Sequence, residues 1–168
     1  GITYDDQGNL FTTESVLLNS NRNNLSKQFL EKELKKHFSL KNIIWFKEGL
    51  FADDTDGHID NIFCPIGNDR YLIASTKDKT SKNYFILQQA KEFVKEHFSN
   101  KNPKIEIIEI PLPSETQIDN KSLVASYINF YFCKNSLLIP KFNVEEDLQV
   151  YDIFQSLFPS KKIKMIET

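Results

Sequence analysis

Ser26-Lys27-Gln28-Phe29-Leu30-Glu31-Lys32-Glu33-Leu34-Lys35-Lys36-His37-Phe38, followed after a short polar step by Ile43-Ile44-Trp45-Phe46, contains one complete passage from helix to strand. Phe29, Leu30, Leu34 and Phe38 recur at helical spacing, with Glu31, Lys32, Lys35 and Lys36 on the opposite face. Ser26 stands where an N-cap is needed. The same order recurs downstream. Ser81 to Phe98 carries Phe85, Ile86, Leu87, Ala90, Phe93, Val94 and Phe98, and leads into the β-rich run Ile105 to Ile110. Glu145 to Phe158 carries Leu148, Val150, Tyr151, Phe154, Leu157 and Phe158, and leads into Ile163 to Ile166. The acidic start of this last helix suits the helix dipole.

Each predicted helix is preceded by an apolar strand: Val16 to Leu18, Tyr71 to Ala74, and Leu137 to Ile139. Phe38, Phe98 and Phe158 close the helices at even spacing. A unit of roughly sixty residues therefore reads strand, strand, helix, strand, and such even periods imply radial or solenoid assembly. The unit boundaries fall at approximately 1-47, 48-111 and 112-168. Pro111-Leu112-Pro113-Ser114 ends the second unit with a rigid turn, and Gly67-Asn68-Asp69 is a hairpin turn between Ile62–Ile66 and Tyr71–Ala74. Ser114 to Lys121 is polar and reads as a surface loop.

The chain has 168 residues, 40% hydrophobic and 26% charged, as an ordinary soluble domain with a real core requires. Lys and Arg total 21 against 23 Asp and Glu, so no strong field draws nucleic acid or an anionic membrane. Arg22 and Arg70 are the only arginines. No apolar run is long enough to span a bilayer, and the start Gly1-Ile2-Thr3-Tyr4-Asp5-Asp6 lacks the pattern of a signal peptide. Cys64 and Cys133 lie in apolar strand-like runs, where a reduced, structural role in a cytoplasmic protein is expected.

Chemistry concentrates in Asp53-Asp54-Thr55-Asp56-Gly57-His58-Ile59-Asp60-Asn61, which packs four carboxylates, an imidazole and an amide into nine residues between apolar segments. If the run leaving this loop is a strand, His58 and Asp60 share a face while Ile59 points to the core. A carboxylate beside an imidazole favours the protonated ring, giving a proton donor next to an anion that can hold a cation. Three readings fit: a solvated acidic turn with His58 incidental, a metal site, or recognition and hydrolysis of a cationic substrate. The calcium-loop template fails, because its first and last ligand positions fall on Ala52 and Phe63. No second His lies nearby.

Gly49-Leu50-Phe51-Ala52-Asp53-Asp54-Thr55-Asp56-Gly57-His58-Ile59-Asp60-Asn61 resembles the signature of agmatine deiminases and their relatives, the bacterial peptidylarginine deiminases. Leu10-Phe11-Thr12-Thr13-Glu14, running into Leu17-Leu18-Asn19-Ser20-Asn21-Arg22-Asn23, is similar to that family's upstream strand and loop. Ser126-Tyr127-Ile128-Asn129-Phe130-Tyr131 resembles its downstream strand. The resemblance implies a pentein fold, a pseudo-fivefold α/β propeller of ββαβ units around a central site. Only three such units are legible here, so it also implies a longer intact protein, whose remaining units would be this chain's main partner.

In that family a Cys nucleophile, a His and carboxylates act together on a guanidinium group, with no metal and no cofactor. Carried over by position, His58 matches the general acid/base and Asp60 the carboxylate that binds the guanidinium nitrogens. Asp53 and Thr55 match positions that shape the substrate pocket, and Asn61 braces the loop. Asp54 and Asp56 read as solvated or turn-forming carboxylates. Arg22 reads as a loop cap, and Trp45 and Phe46 as core rather than as an aromatic wall. The family's Gly-rich His-Cys segment and its Arg-Asp-Gly-Pro-like motif are missing, and a Glu-Gly-Gly element would end at Gly1. Cys64 and Cys133 lack that context, so this segment alone is expected to be inactive. The implied partner is a small cationic guanidino substrate, agmatine before arginine or peptidylarginine. A non-catalytic cation-binding module and a homo-oligomer remain open.

Overall fold

The computed structural model describes residues 1–99, 102–114, 117–118, 121–122 and 124–168, without the side chains of 99, 117–118 and 121–122. The chain begins with β1 (Ile2–Tyr4), β2 (Asn9–Thr13), the single turn α1 (Glu14–Leu17), α2 (Lys27–Phe38) and β3 (Asn42–Phe46). Next come β4 (Phe63–Gly67), β5 (Arg70–Ser75), α3 (Lys82–Val94) and β6 (Glu106–Pro111). A two-stranded pair, β7 (Gln117–Ile118) and β8 (Lys121–Ser122), precedes β9 (Tyr131–Phe132), β10 (Ser136–Lys141), α4 (Glu146–Leu157) and β11 (Lys162–Glu167). The loop expected over Ser114 to Lys121 lies in part outside the described residues.

The larger elements make three three-stranded sheets of one pattern: β1-β2-β3, β4-β5-β6 and β9-β10-β11. In each, the first two strands are antiparallel and the last two parallel, with the helix in the parallel crossover. A parallel pair requires such a crossover, so the helix follows from the sheet. The architecture is mixed α/β. The β4–β5 hairpin turns at Gly67, Asn68 and Asp69, all in the left-handed region, as a tight primed turn demands.

The middle strands form the core. Every residue of β2 is buried, as are Tyr71–Ala74 in β5 and Leu137 and Ile139 in β10. Between the first two sheets lies an aromatic cluster: Phe11 meets Phe63 at 4.9 Å, Phe63 stacks on Tyr71 at 5.4 Å, and Tyr71 stacks on Phe98 at 5.3 Å. Phe98 reaches them because α3 loosens into a π-helical turn over Lys95–Ser99. Each buried ring contributes about 1.5–3 kcal/mol.

Three expectations need correction. Val16 to Leu18 is no strand: the strand lies earlier, at Asn9–Thr13, and Val16 packs inward from α1. Thr12 and Thr13 tolerate full burial because their hydroxyls donate to the carbonyls of Gly1 at 3.0 Å and Gly57 at 2.8 Å. Ser126 to Tyr131 is mostly a turn, and only Tyr131–Phe132 pairs with β10. There Ser126 Oγ donates to the Asn61 carbonyl and accepts from the Ile128 amide, side-chain bonds that compete with a ladder. Finally, the apolar stripe of α2 is not a buried one; Phe29 and Phe38 are exposed and no residue of the helix is buried.

Candidate functional site

The loop from Gly49 to Ile62 begins with a backbone crossing. A Cβ on Gly49 would lie 2.4 Å from the carbonyl carbon and oxygen of Gly57, and Gly57 itself has φ 89°. Both positions require glycine. Ala52 and Asp56 also adopt positive φ, at 62° and 72°, so this compact loop depends on restraint by its hydrogen bonds.

Asp53 supplies much of that restraint from within. Its Oδ1 accepts from the amide and hydroxyl of Thr55; its Oδ2 accepts from the amide of His58 at 3.0 Å and from Nδ2 of Asn61 at 3.2 Å. Burial works against the Asp53 carboxylate, but these hydrogen bonds outweigh it and hold its pKa below the ordinary value. Other elements fasten the same loop. Thr13 in β2 donates to Gly57, Asn83 in α3 accepts from the Phe51 amide at 2.7 Å, and Ser126 donates to Asn61 at 2.7 Å.

His58 is extended and is followed by a 3-10 turn over Ile59–Asn61, with β4 starting only at Phe63. The expectation that His58 and Asp60 share a strand face is therefore wrong in its route, because Asp53 and Asn61 fold the segment before the sheet begins. Their juxtaposition nevertheless arises. Ile59 and Ile62 are fully buried, while the partly exposed side chains of His58 and Asp60 come together, Nδ1 lying 3.8 Å from Oδ1. Gly1 packs against the imidazole, where a Cβ would come within 2.7 Å of the His58 ring root.

Of the three buried side-chain polar atoms without a hydrogen-bond partner among the described residues, two belong to this pair, His58 Nε2 and Asp60 Oδ1, and the third is Arg70 Nε. Native proteins rarely leave such atoms idle, and an orphaned carboxylate acceptor close to an imidazole that has an orphaned nitrogen of its own suits a planar cationic donor. Neighbouring Cys64 is not equipped as a nucleophile: burial, then the Asp60 charge, pushes its thiol up to about 12. Cys133 is also a free thiol. No group of three or more His, Cys, Asp or Glu among the described residues is arranged to hold a metal.

The remaining sequence candidates lie elsewhere or do other work. Asp54 is exposed. Asp56 is gripped by Asn21 and Arg22, so it is a paired carboxylate rather than a solvated one. Phe46 is core, and Trp45 faces α2, where its ring nitrogen donates to Glu31 at 2.8 Å. Thr13, Asn83 and Ser126 are the residues that sequence reasoning missed. Their hydroxyls and amide look generic until the fold brings them to this loop. A cleft of about 350 Å³ lies between Trp45 and α3, and one of about 920 Å³ between Phe51 and Glu146, neither lined by His58 or Asp60.

Fold and site together define a mixed α/β protein of the kind found in guanidino-group-modifying enzymes of the pentein fold. An agmatine deiminase structure from C. jejuni with substrate bound superposes with a TM-score of 0.89 at 30% identity, covering 99% of this chain and 49% of that one. The structure of the Enterococcus faecalis agmatine deiminase gives 0.91 at 25% identity, covering 99% and 51%. The chain belongs to the family described as Porphyromonas-type peptidyl-arginine deiminase, which it matches over residues 1–168. It is 31% identical over 184 residues to the agmatine deiminase of Pseudomonas aeruginosa (strain LESB58), covering 98% of this chain and 50% of that protein. The chain thus spans about half the length of the curated relatives it matches.

Proposed function

We propose that this chain is part of an agmatine deiminase, in which His58 and Asp60 act on the guanidinium group of the substrate. The observation that carries the reading is the unsatisfied pair, His58 Nε2 and Asp60 Oδ1, set on a loop whose Asp53, Thr55 and Asn61 side chains are bonded to one another. Asp60 receives the guanidinium N–H groups through charge-assisted bonds. A Cys thiolate from residues outside this chain attacks the central carbon, forming a C–S bond. As that adduct collapses, a C–N bond breaks and His58 hands its proton to the departing ammonia. Water then gives a proton back to His58 and attacks the same carbon, the C–S bond breaks, and N-carbamoylputrescine leaves. Asp53 and Thr55 shape the rim by setting the loop.

Around this site we place a pseudo-fivefold propeller, of which this chain contributes three units as a partial catalytic domain, with approximate boundaries 1-47, 48-111 and 112-168. The reaction would serve putrescine and polyamine biosynthesis in the cytoplasm, and no helix among the described residues is long and apolar enough to cross a membrane. Arginine poverty favours agmatine, since a carboxylate at the substrate's far end would call for a cation in the pocket.

Ammonia release from agmatine, free arginine and an arginyl peptide, measured in parallel with the full-length protein and its His58→Ala variant, tests the reading. Turnover of agmatine that disappears in the variant is expected. Turnover of an arginine substrate instead replaces the substrate and keeps the chemistry. No turnover by wild type sinks the enzyme reading and leaves a cation-binding module.

A further inference from the structure

The loop bearing His58 and Asp60 is gripped from the side by another loop, and the chemistry proposed above makes no use of that grip. Residues Asn19 to Leu25 are folded by their own asparagines. Asn19 Oδ1 accepts from the Asn21 amide at 3.1 Å, the Asn19 carbonyl accepts from the Arg22 amide at 3.0 Å, and Asn23 Nδ2 donates to Leu17 at 3.1 Å. Asn23 Oδ1 accepts from the Leu25 amide at 2.9 Å. Such Asx turns present Asn21 and Arg22 from a built surface rather than a loose strap.

Asn21 Nδ2 donates to both carboxylate oxygens of Asp56, at 3.2 and 3.1 Å. Arg22 Nε donates to Asp56 Oδ2 at 3.2 Å, and its Nη2 donates to the Thr55 carbonyl at 3.0 Å. We infer that Arg22, with Asn21, is a positioning residue, whose clamp on Asp56 fixes the left-handed turn through Asp56 and Gly57 and so aims His58 and Asp60. The inference rests on the guanidinium reading of that pair.

The physical argument runs through the turn. Asp56 is held at φ 72° and Gly57 at φ 89°, and His58 follows directly. A side chain in the left-handed region costs free energy, so without restraint Asp56 relaxes toward negative φ. That rotation swings the backbone into which His58 is built, and the catalytic groups lose their aim. Arg22 is suited to the task because its rigid fork spans a carboxylate and a carbonyl at once; Lys, a point charge, cannot replace it fully. Two of its donors are already engaged by the loop, which argues against a role as substrate anchor.

Arg22→Ala, Asp56→Ala, the double variant and Arg22→Lys, made in the full-length protein, decide the matter. Amide hydrogen exchange over residues 56–61 is read with kcat and KM for agmatine and with the thermal midpoint. Each single alanine variant is expected to speed exchange and lower kcat by about tenfold, with KM moving less, as misaligned catalytic groups do. The double variant is expected to be no worse than either single, because partners in one interaction are not additive. Arg22→Lys should fall between wild type and Arg22→Ala. Additive effects, unchanged exchange, or exchange that only follows a fallen thermal midpoint overturn the inference. A wild type that releases no ammonia from any substrate removes the deiminase reading, while the exchange arms still decide the clamp.

Discussion

Asp53 and Asp60 belong to the same short loop and could hardly be treated more differently. Asp53 accepts from Thr55, His58 and Asn61, and its pKa is depressed accordingly. Asp60 keeps one buried oxygen without a hydrogen-bond partner, 3.8 Å from Nδ1 of His58, an imidazole whose other nitrogen, Nε2, is also unbonded. A carboxylate that has its hydrogen bonds stabilises the fold; one that lacks them stores interaction energy for a ligand. The contrast separates structure from chemistry within one motif that composition alone presents as four similar acids.

The sharpest way to break this comparison is Asp60→Asn in the full-length protein. The amide keeps the shape and loses the charge proposed to grip a cation. Loss of a charge-assisted partner is expected to lower kcat/KM for agmatine by about 10²–10³-fold. The thermal midpoint should stay within about 2 °C of wild type, because Asp60 Oδ1 bonds to no described residue. A large fall in midpoint with intact turnover would reverse the roles assigned to the two acids.

Asp53→Ala should show the opposite profile, with stability changed first. Donors on Thr55, His58 and Asn61 lose their acceptor, and the expected cost is about 1–3 kcal/mol in urea unfolding, reduced by partial exposure of the site. The acid branch follows from the lowered Asp53 pKa. A depressed carboxylate adds stability that is complete above its unfolded value, near 3.8, and is lost as pH falls through the lower folded value. Wild type should therefore shed stability across that acid window, and Asp53→Asn should show a shallower slope there. Equal slopes would mean that Asp53 is solvated rather than bonded.

Much of this fold was legible because apolar spacing is a local signal. The Ser26 N-cap, confirmed by a bond from the Phe29 amide, and the periodicity of α3 and α4 need only nearby residues. Errors arose where tertiary partners decide. Val16 to Leu18 reads as a strand until Thr12 and Thr13, with their hydroxyls satisfied by distant carbonyls, take the buried place instead. The stripe of α2 is correctly periodic, yet periodicity cannot reveal whether a neighbour covers it. His58 and Asp60 stand out by density of chemistry. Arg22 was legible as a loop cap, which its bonds to Asp56 and Thr55 bear out, whereas the loop it caps could not be named because Asp56 comes from far along the chain.

The smallest effect belongs to Cys64, which sharpens the comparison because it senses the charge of Asp60 without joining the chemistry. Burial first, and the Asp60 charge second, hold its thiol at about 12. At pH 8 the thiolate fraction is then about 10⁻⁴, against roughly a quarter for an ordinary thiol, so alkylation by iodoacetamide should be slower by about 10³-fold. Cys64→Ala should keep agmatine turnover and lose only about 1 kcal/mol of stability, the scale of a small trimmed side chain. In Asp60→Asn the charge is gone, and labelling of Cys64 should quicken while burial still keeps it far below a free thiol. Labelling at an ordinary rate in wild type would mean that the thiol is exposed and ionisable, and Cys64 would return as a candidate nucleophile. Labelling unaffected by Asp60→Asn would mean instead that the carboxylate is already neutralised, and the site would not be holding an open charge for its substrate.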